Sequence, residues 1–175
     1  MQPKEAIEKI LKEIDASEDV KQQYVNRLAE GNIVRDENQI SHFCSYFLPY
    51  RLSDKKVFLE AHKKSGLWLS PGGHIDPGET PGEAAEREMK EELEIEQLVD
   101  EAKLLTVTHI KRDVRFCAVH YDIWYFVPVD DRILPTRKEG EFDDARWFTL
   151  DEAKKVLVDE NNLKALNFVE KNIFV

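Results

Sequence analysis

The sequence predicts an α+β domain, layered as α/β/α around a mixed β-sheet and led by a helical hairpin. Three observations carry this. Apolar residues at helical spacing occupy the first 31 positions, runs dense in β-branched and aromatic residues flank a central acidic helix, and two more helical patterns close the chain. At 175 residues and 42% hydrophobic content, the chain is large enough for one well-buried core and too short for a second full domain.

Ile7, Ile10, Leu11 and Ile14 recur at helical spacing, as do Val20, Tyr24, Val25 and Leu28 after the candidate N-cap Ser17. Gly31 ends the second set, so residues 3–31 are read as a hairpin of helices. Its apolar faces suit packing on the main domain, or equally a partner subunit. Next, "ISHFCSYFLP" from Ile40 and "KVFLEAH" from Lys56 read as neighbouring strands joined by a polar turn at Ser53–Lys56. "GLWLSPGG" from Gly66 reads as a short strand that runs into a Pro-Gly-Gly break. "AKLLTVTHIKR", "CAVHYDIWYFVPV" and "ARWFTL" supply the later strands. Between the last two, Arg137–Asp144 is read as an exposed loop. Leu150–Val158 and Asn161–Ile173 are read as the closing helices, with Asp151 and Glu152 favourably placed in a first turn.

The charge balance narrows function. With 25 basic and 35 acidic residues the formal charge is −10, which disfavours duplex nucleic acid and anionic membranes as partners. A small anionic substrate is compatible only where cations offset the repulsion. Cys44 and Cys117 lie in apolar runs without CxxC spacing and read as buried thiols. His42, His62, His74, His109 and His120 show no HxxxH or HExxH spacing, so a zinc site is not expected. "MQPKEAIEKI" has no signal-like apolar region and no run reaches the ~20 residues of a membrane span, so a cytoplasmic location is expected.

The stretch "GGHIDPGETPGEAAEREMKEELEI" concentrates the chemistry. Thr80 and Pro81 suit a helix start, and Ala85, Met89 and Leu93 form the stripe that should face the core. Glu88, Glu91 and Glu92 occupy the adjacent arc, with Cβ atoms ~5–6 Å from a neighbour, close enough to share one or two divalent ions. Arg87 and Lys90 are the only cations between Arg87 and Glu94, so lysine pairing does not account for the acidity. The glycines upstream offer a bend whose backbone can approach a ligand closely.

From Gly73 to Ile95 the chain resembles the Nudix box, G-x5-E-x7-R-E-U-x-E-E-x-G-U with U apolar, and the likeness extends over roughly residues 41–158. It implies a Nudix-type α/β/α sandwich over residues 36–175, with residues 1–35 as an N-terminal helical extension. It also implies hydrolysis of the pyrophosphate linkage of a nucleoside diphosphate joined to another group, assisted by Mg²⁺ or Mn²⁺. Carried over from the box, Glu88, Glu91 and Glu92 are metal ligands with the Gly72 carbonyl, and Glu88 is an alternative general base. Glu79 and Arg87 form an orienting ion pair.

A distant acidic loop supplies a further ligand or base in several relatives, and Glu141 is the candidate here, ahead of Glu139, Asp143 and Asp144. Gly73, His74, Arg51, Lys64 and Arg115 are candidate substrate contacts, while Trp68, Trp124 and Tyr125 suit core packing better than base stacking. Glu94 stands where the box has its second glycine, so either a left-handed cap costing ~1 kcal/mol or a longer helix is expected. A noncatalytic nucleotide-binding domain is the alternative, and a homodimer is left open. Isopentenyl-diphosphate isomerisation is disfavoured because neither cysteine has the local motif it requires.

Overall fold

The structure is a computed structural model that describes residues 1–110, 116–130 and 142–175. The elements run α1 (Pro3–Glu13), α2 (Glu18–Glu30), β1 (Ser41–Arg51), β2 (Lys56–His62), β3 (Leu67–Leu69), β4 (Gly72–His74), α3 (Pro81–Leu93), β5 (Leu104–His109), β6 (Val119–Pro128), β7 (Phe142–Thr149), α4 (Leu150–Val156) and α5 (Glu160–Asn172). Among the described residues the strands form one mixed sheet in the order β3-β2-β1-β6-β5, with β4 also on β1 and β7 also on β2.

β1 is the axis of the sheet. It pairs in parallel with β6 along its length, from Ser41↔Val119 to Tyr50↔Pro128. Its other edge is shared: β4 takes the N-terminal half through Cys44↔His74 and Tyr46↔Gly72, and β2 takes the C-terminal end through Tyr50↔Val57. The expected break falls at Ser70–Pro71, but its two glycines, Gly72 and Gly73, are strand. Glycines have poor strand propensity, but here they are paired to a buried neighbour, and that tertiary pairing overrides the local preference.

Alternation along the strands builds two cores. Phe43, Phe47, Ile123 and Tyr125 pack with Ala84, Ala85, Met89 and Leu93 of α3 and with Ile7, Tyr24 and Leu28 of the N-terminal helices. Leu48, Trp124 and Phe126 pack on the opposite face with Ala165, Leu166 and Val169 of α5. Each buried side chain of this size contributes roughly 1.5–3 kcal/mol. The Tyr24 hydroxyl, 2.6 Å from the Asp122 carbonyl oxygen, ties α2 to the sheet. The N-terminal helices thus pack in cis, and Ser17 caps α2 as expected by accepting from the Val20 amide.

Two further expectations change, and an open alternative at Glu94 is decided. Phe142–Asp144 belongs to β7 rather than to a loop, because its backbone pairs with β2 at Ala61↔Asp144 and His62↔Phe142. Its polar side chains are tolerated because, among the described residues, β7 pairs with β2 alone, and Asp143 is exposed. Cys117 is not a buried strand thiol: it precedes β6, is half-buried and has φ 55°. Glu94 takes the left-handed cap, at φ 56° and ψ 29°, so α3 stops where the glycine of the box would stop it.

Candidate functional site

Helix α3 begins with a reciprocal cap. The Thr80 hydroxyl accepts from the Glu83 amide, the Glu83 carboxylate accepts from the Thr80 amide, and Pro81 fills the first turn. This fixes the helix start, and the buried stripe of Ala85, Met89 and Leu93 fixes its rotation. Glu88, Glu91 and Glu92 are then set on the flank toward β4, with Glu92 only 5% exposed.

Arg87 organises the cluster. Its Nε and Nη2 donate to the two Glu79 oxygens at 2.8 and 3.1 Å, and Nη1 donates to Glu88 Oε1 at 2.8 Å. Nη2 also donates to the His74 carbonyl oxygen at 3.0 Å, so one guanidinium joins the loop, the helix and β4. The Glu79 hydrogen bonds push the Arg87 pKa up, with Glu88 reinforcing the shift. A carboxylate so held is oriented before any ligand arrives.

The glycine pair does two different jobs. At Gly72, φ is 135° and an added Cβ would lie 2.7 Å from Tyr46 Cα, so backbone packing excludes a side chain. Its amide donates to Glu92 Oε2 at 3.0 Å. At Gly73 an added Cβ would lie 2.8 Å from Glu88 Cδ, so the missing side chain is the space that the Glu88 carboxylate uses. Oxygen donors converging on a glycine cradle fit a hard divalent cation such as Mg²⁺. The residues that would hold it are Glu88, Glu91, Glu92 and Gly72.

The structure places the other candidates variously. Arg51 lies at the C-terminal end of β1, paired with Asp54 at 2.6 Å, with its guanidinium carbon 4.4 Å from the Trp147 ring centroid. That end is about 17 Å along the strand from the Tyr46–Gly72 pairing. Lys64 lies in the β2–β3 turn, toward the end of the sheet that carries β4. Arg115 and Glu141 lie outside the described residues. Trp124 and Tyr125 are core residues, and Trp68 packs edge-on against Phe148.

Two features have no local sequence signal. Glu60, 1% exposed, sits on the same face of β2 as Phe58, which packs in the α3 core. Three of the five histidines meet: the His42 ring centroid is 4.9 Å from those of His74 and His120. Burial lowers all three pKa values, His74 to about 3 and His120 to about 4; neighbouring imidazoles add to the shift at His74 and His120, and Arg35 and Arg27 add to it at His42, so the cluster is neutral. Only the pairing of β1 with β4 and β6 reveals it.

Comparison with known proteins agrees with this architecture. The NUDIX domain profile matches residues 28–170, and the chain belongs to that family. The bis(5'-nucleosyl)-tetraphosphatase [asymmetrical] of Rattus norvegicus is 34% identical over 100 residues, which cover 55% of this chain and 65% of the rat protein. The Mus musculus protein of the same name is 29% identical over 116 residues, covering 63% of this chain and 76% of its own length. Among solved structures, a C. elegans Ap4A hydrolase binary complex superposes with a TM-score of 0.61 at 19% identity, covering 73% of this chain and 94% of that one. The E. coli dihydroneopterin triphosphate pyrophosphohydrolase gives 0.60 at 20% identity, covering 76% and 96%.

Proposed function

We propose that this protein hydrolyses a pyrophosphate linkage in a nucleotide, by attack of water on phosphorus, and that a dinucleoside polyphosphate is the substrate class. The observation that carries this reading is the Gly73–Glu88 cradle, where Arg87 holds Glu79 and Glu88 while Glu92 is tied to Gly72. The tetraphosphatase names of the rat and mouse relatives support the substrate class.

When bound, Mg²⁺ or Mn²⁺ would neutralise polyphosphate charge, lower the pKa of water and stabilise the leaving oxygen. Glu88, Glu91 and Glu92 supply negative oxygen donors, and the rigid Gly72–Gly73 backbone lets a phosphate come close. Arg87 acts through them: it keeps Glu88 turned toward the cradle and balances part of the carboxylate charge. A carboxylate accepts the proton of the attacking water as the new P–O bond forms and the bridging P–O bond breaks. Glu88, held by Arg87 beside Gly73, is the alternative base where it is not itself a metal ligand.

No helix among the described residues is long and apolar enough to cross a membrane. The test is a panel of dinucleoside polyphosphates, nucleoside triphosphates, ADP-ribose and nucleotide sugars with Mg²⁺, comparing the native chain with Glu91→Gln. Turnover of a dinucleoside polyphosphate that depends on Mg²⁺ and falls sharply in the variant is expected. Equal turnover by both proteins rejects the site, and nucleotide binding without turnover by either identifies a noncatalytic domain.

A further inference from the structure

We propose that His42, His74, His120 and Cys117 form a closed four-ligand site for a borderline-soft dication, Zn²⁺ in the first instance, separate from the carboxylate site on α3. One donor atom from each of the four residues lies within 4.8 Å of those from the other three. Three nitrogens and one sulfur around a small cation suit tetrahedral zinc. The edges of such a tetrahedron are about 3.3–3.7 Å for ordinary Zn–N and Zn–S bonds. Cys117 Sγ and His74 Nε2 already stand 3.7 Å apart, so loading requires only a contraction of the remaining donors.

The unpartnered nitrogens are an independent observation. His42 is fully buried and His120 is 8% exposed, and among the described residues the Nε2 atom of each has no hydrogen-bond partner. Leaving two such atoms unsatisfied costs roughly 1–3 kcal/mol each. His42 is moreover set up as a ligand: its Nδ1 is 2.8 Å from the Asn38 carbonyl oxygen, which only an N–H can satisfy. The proton therefore sits on Nδ1 and the Nε2 lone pair is available, the arrangement that fixes histidine ligands in metal sites.

The scaffold is as definite as the donors. His42 and His120 are direct partners across the β1–β6 pairing, and His74 ends β4 opposite Cys44. Cys117 is held beside them because its amide donates to Gln39 O at 2.6 Å and the Ala118 amide donates to Ile40 O at 2.8 Å. Its partial exposure leaves an entry path. Arg35 Nη1 lies 3.5 Å from His74 Nδ1, a long contact from an exposed side chain that can turn away when the His74 proton moves to Nδ1. Four protein ligands leave no open position, so the site is structural: it would pin β4, and with it the Gly72–Gly73 bend, to β1 and β6.

The test is a Co²⁺ titration of reduced, chelator-stripped protein in excess Mg²⁺, followed by displacement with Zn²⁺. Uptake of one equivalent is expected, with intense tetrahedral d–d absorption and a thiolate-to-cobalt charge-transfer band. Cys117→Ser should lose the charge-transfer band and bind Zn²⁺ at least ~10-fold more weakly, with its far-UV spectrum unchanged. His120→Gln serves as the second variant and should lose the tetrahedral signal. Zn²⁺ at 100 times its Kd should raise the native Tm by roughly 5–10 °C, an effect absent from Cys117→Ser. A weak octahedral spectrum without the thiolate band, or uptake abolished by excess Mg²⁺ or by Glu91→Gln, overturns the proposal. In the last two cases the ion belongs at the carboxylates, and if no metal binds at all, ordered water satisfies the buried nitrogens.

Discussion

Two clusters of potential ligands sit on opposite sides of the three residues of β4. On the α3 side, Glu88, Glu91 and Glu92 come from one helical turn and a half, with Glu88 held by Arg87 and the buried Glu92 tied to the Gly72 amide. On the α5 side, His42, His74, His120 and Cys117 come from three strands and a connecting segment, mostly buried and uncharged. The first offers hard, negatively charged oxygens that suit a hydrated cation shared with phosphate. The second offers softer neutral nitrogens and one sulfur in a closed shell. One strand can serve both because the amide of Gly72 and the carbonyl oxygen of His74 belong to the α3 network, while the His74 ring points the other way.

The largest separation of the two sides is expected from Glu91→Gln. Removing one charged oxygen donor should lower Mg²⁺-dependent turnover by roughly 10²–10⁴-fold. Cobalt uptake monitored by the thiolate band should be untouched, so loss of both signals in this variant would mean that the clusters are one site.

Gly72→Ala is expected to damage both sides together. Its Cβ would meet backbone atoms of β1, and a positive φ adds strain, for a cost of about 2–3 kcal/mol in denaturant unfolding. Gly73→Ala differs because the added methyl group meets only the movable end of Glu88. It should reduce turnover while Tm stays nearly constant, and an equal loss of stability in the two variants would show that Gly73 has no special relation to the carboxylate.

Arg87→Lys should act on one side alone. Lysine cannot reproduce the two-pronged contact with Glu79 while also reaching Glu88, so turnover should fall by about 10–100-fold. The fall should appear mainly in kcat, with little change in Tm, because these ion pairs remain partly solvated. Glu94→Gly bears on neither cluster. Relief of the left-handed cap should raise stability by at most about 1 kcal/mol, measured by urea unfolding, with turnover unchanged.

Particular residues show why some features were legible in the sequence. Helix α3 could be read because its information is local: Thr80 and Glu83 cap it, Pro81 opens it, and Ala85, Met89 and Leu93 repeat at its period. Even the interruption at Glu94 was visible, as one of two outcomes. β4 could not be read, since Gly72 and Gly73 carry no strand propensity and acquire strand geometry only from Ser45 and Tyr46. Asp143 and Asp144 looked like loop residues because polar composition cannot distinguish an edge strand from a turn.

The sequence by itself determined the carboxylate helix, its cap and the charge problem that a cation would resolve, because helical periodicity places residues three and four apart on one surface. Only the tertiary structure decided that residues 42, 74, 117 and 120 meet. Strand register brings together positions separated by tens of residues, and no spacing rule along the chain encodes which strands will become neighbours.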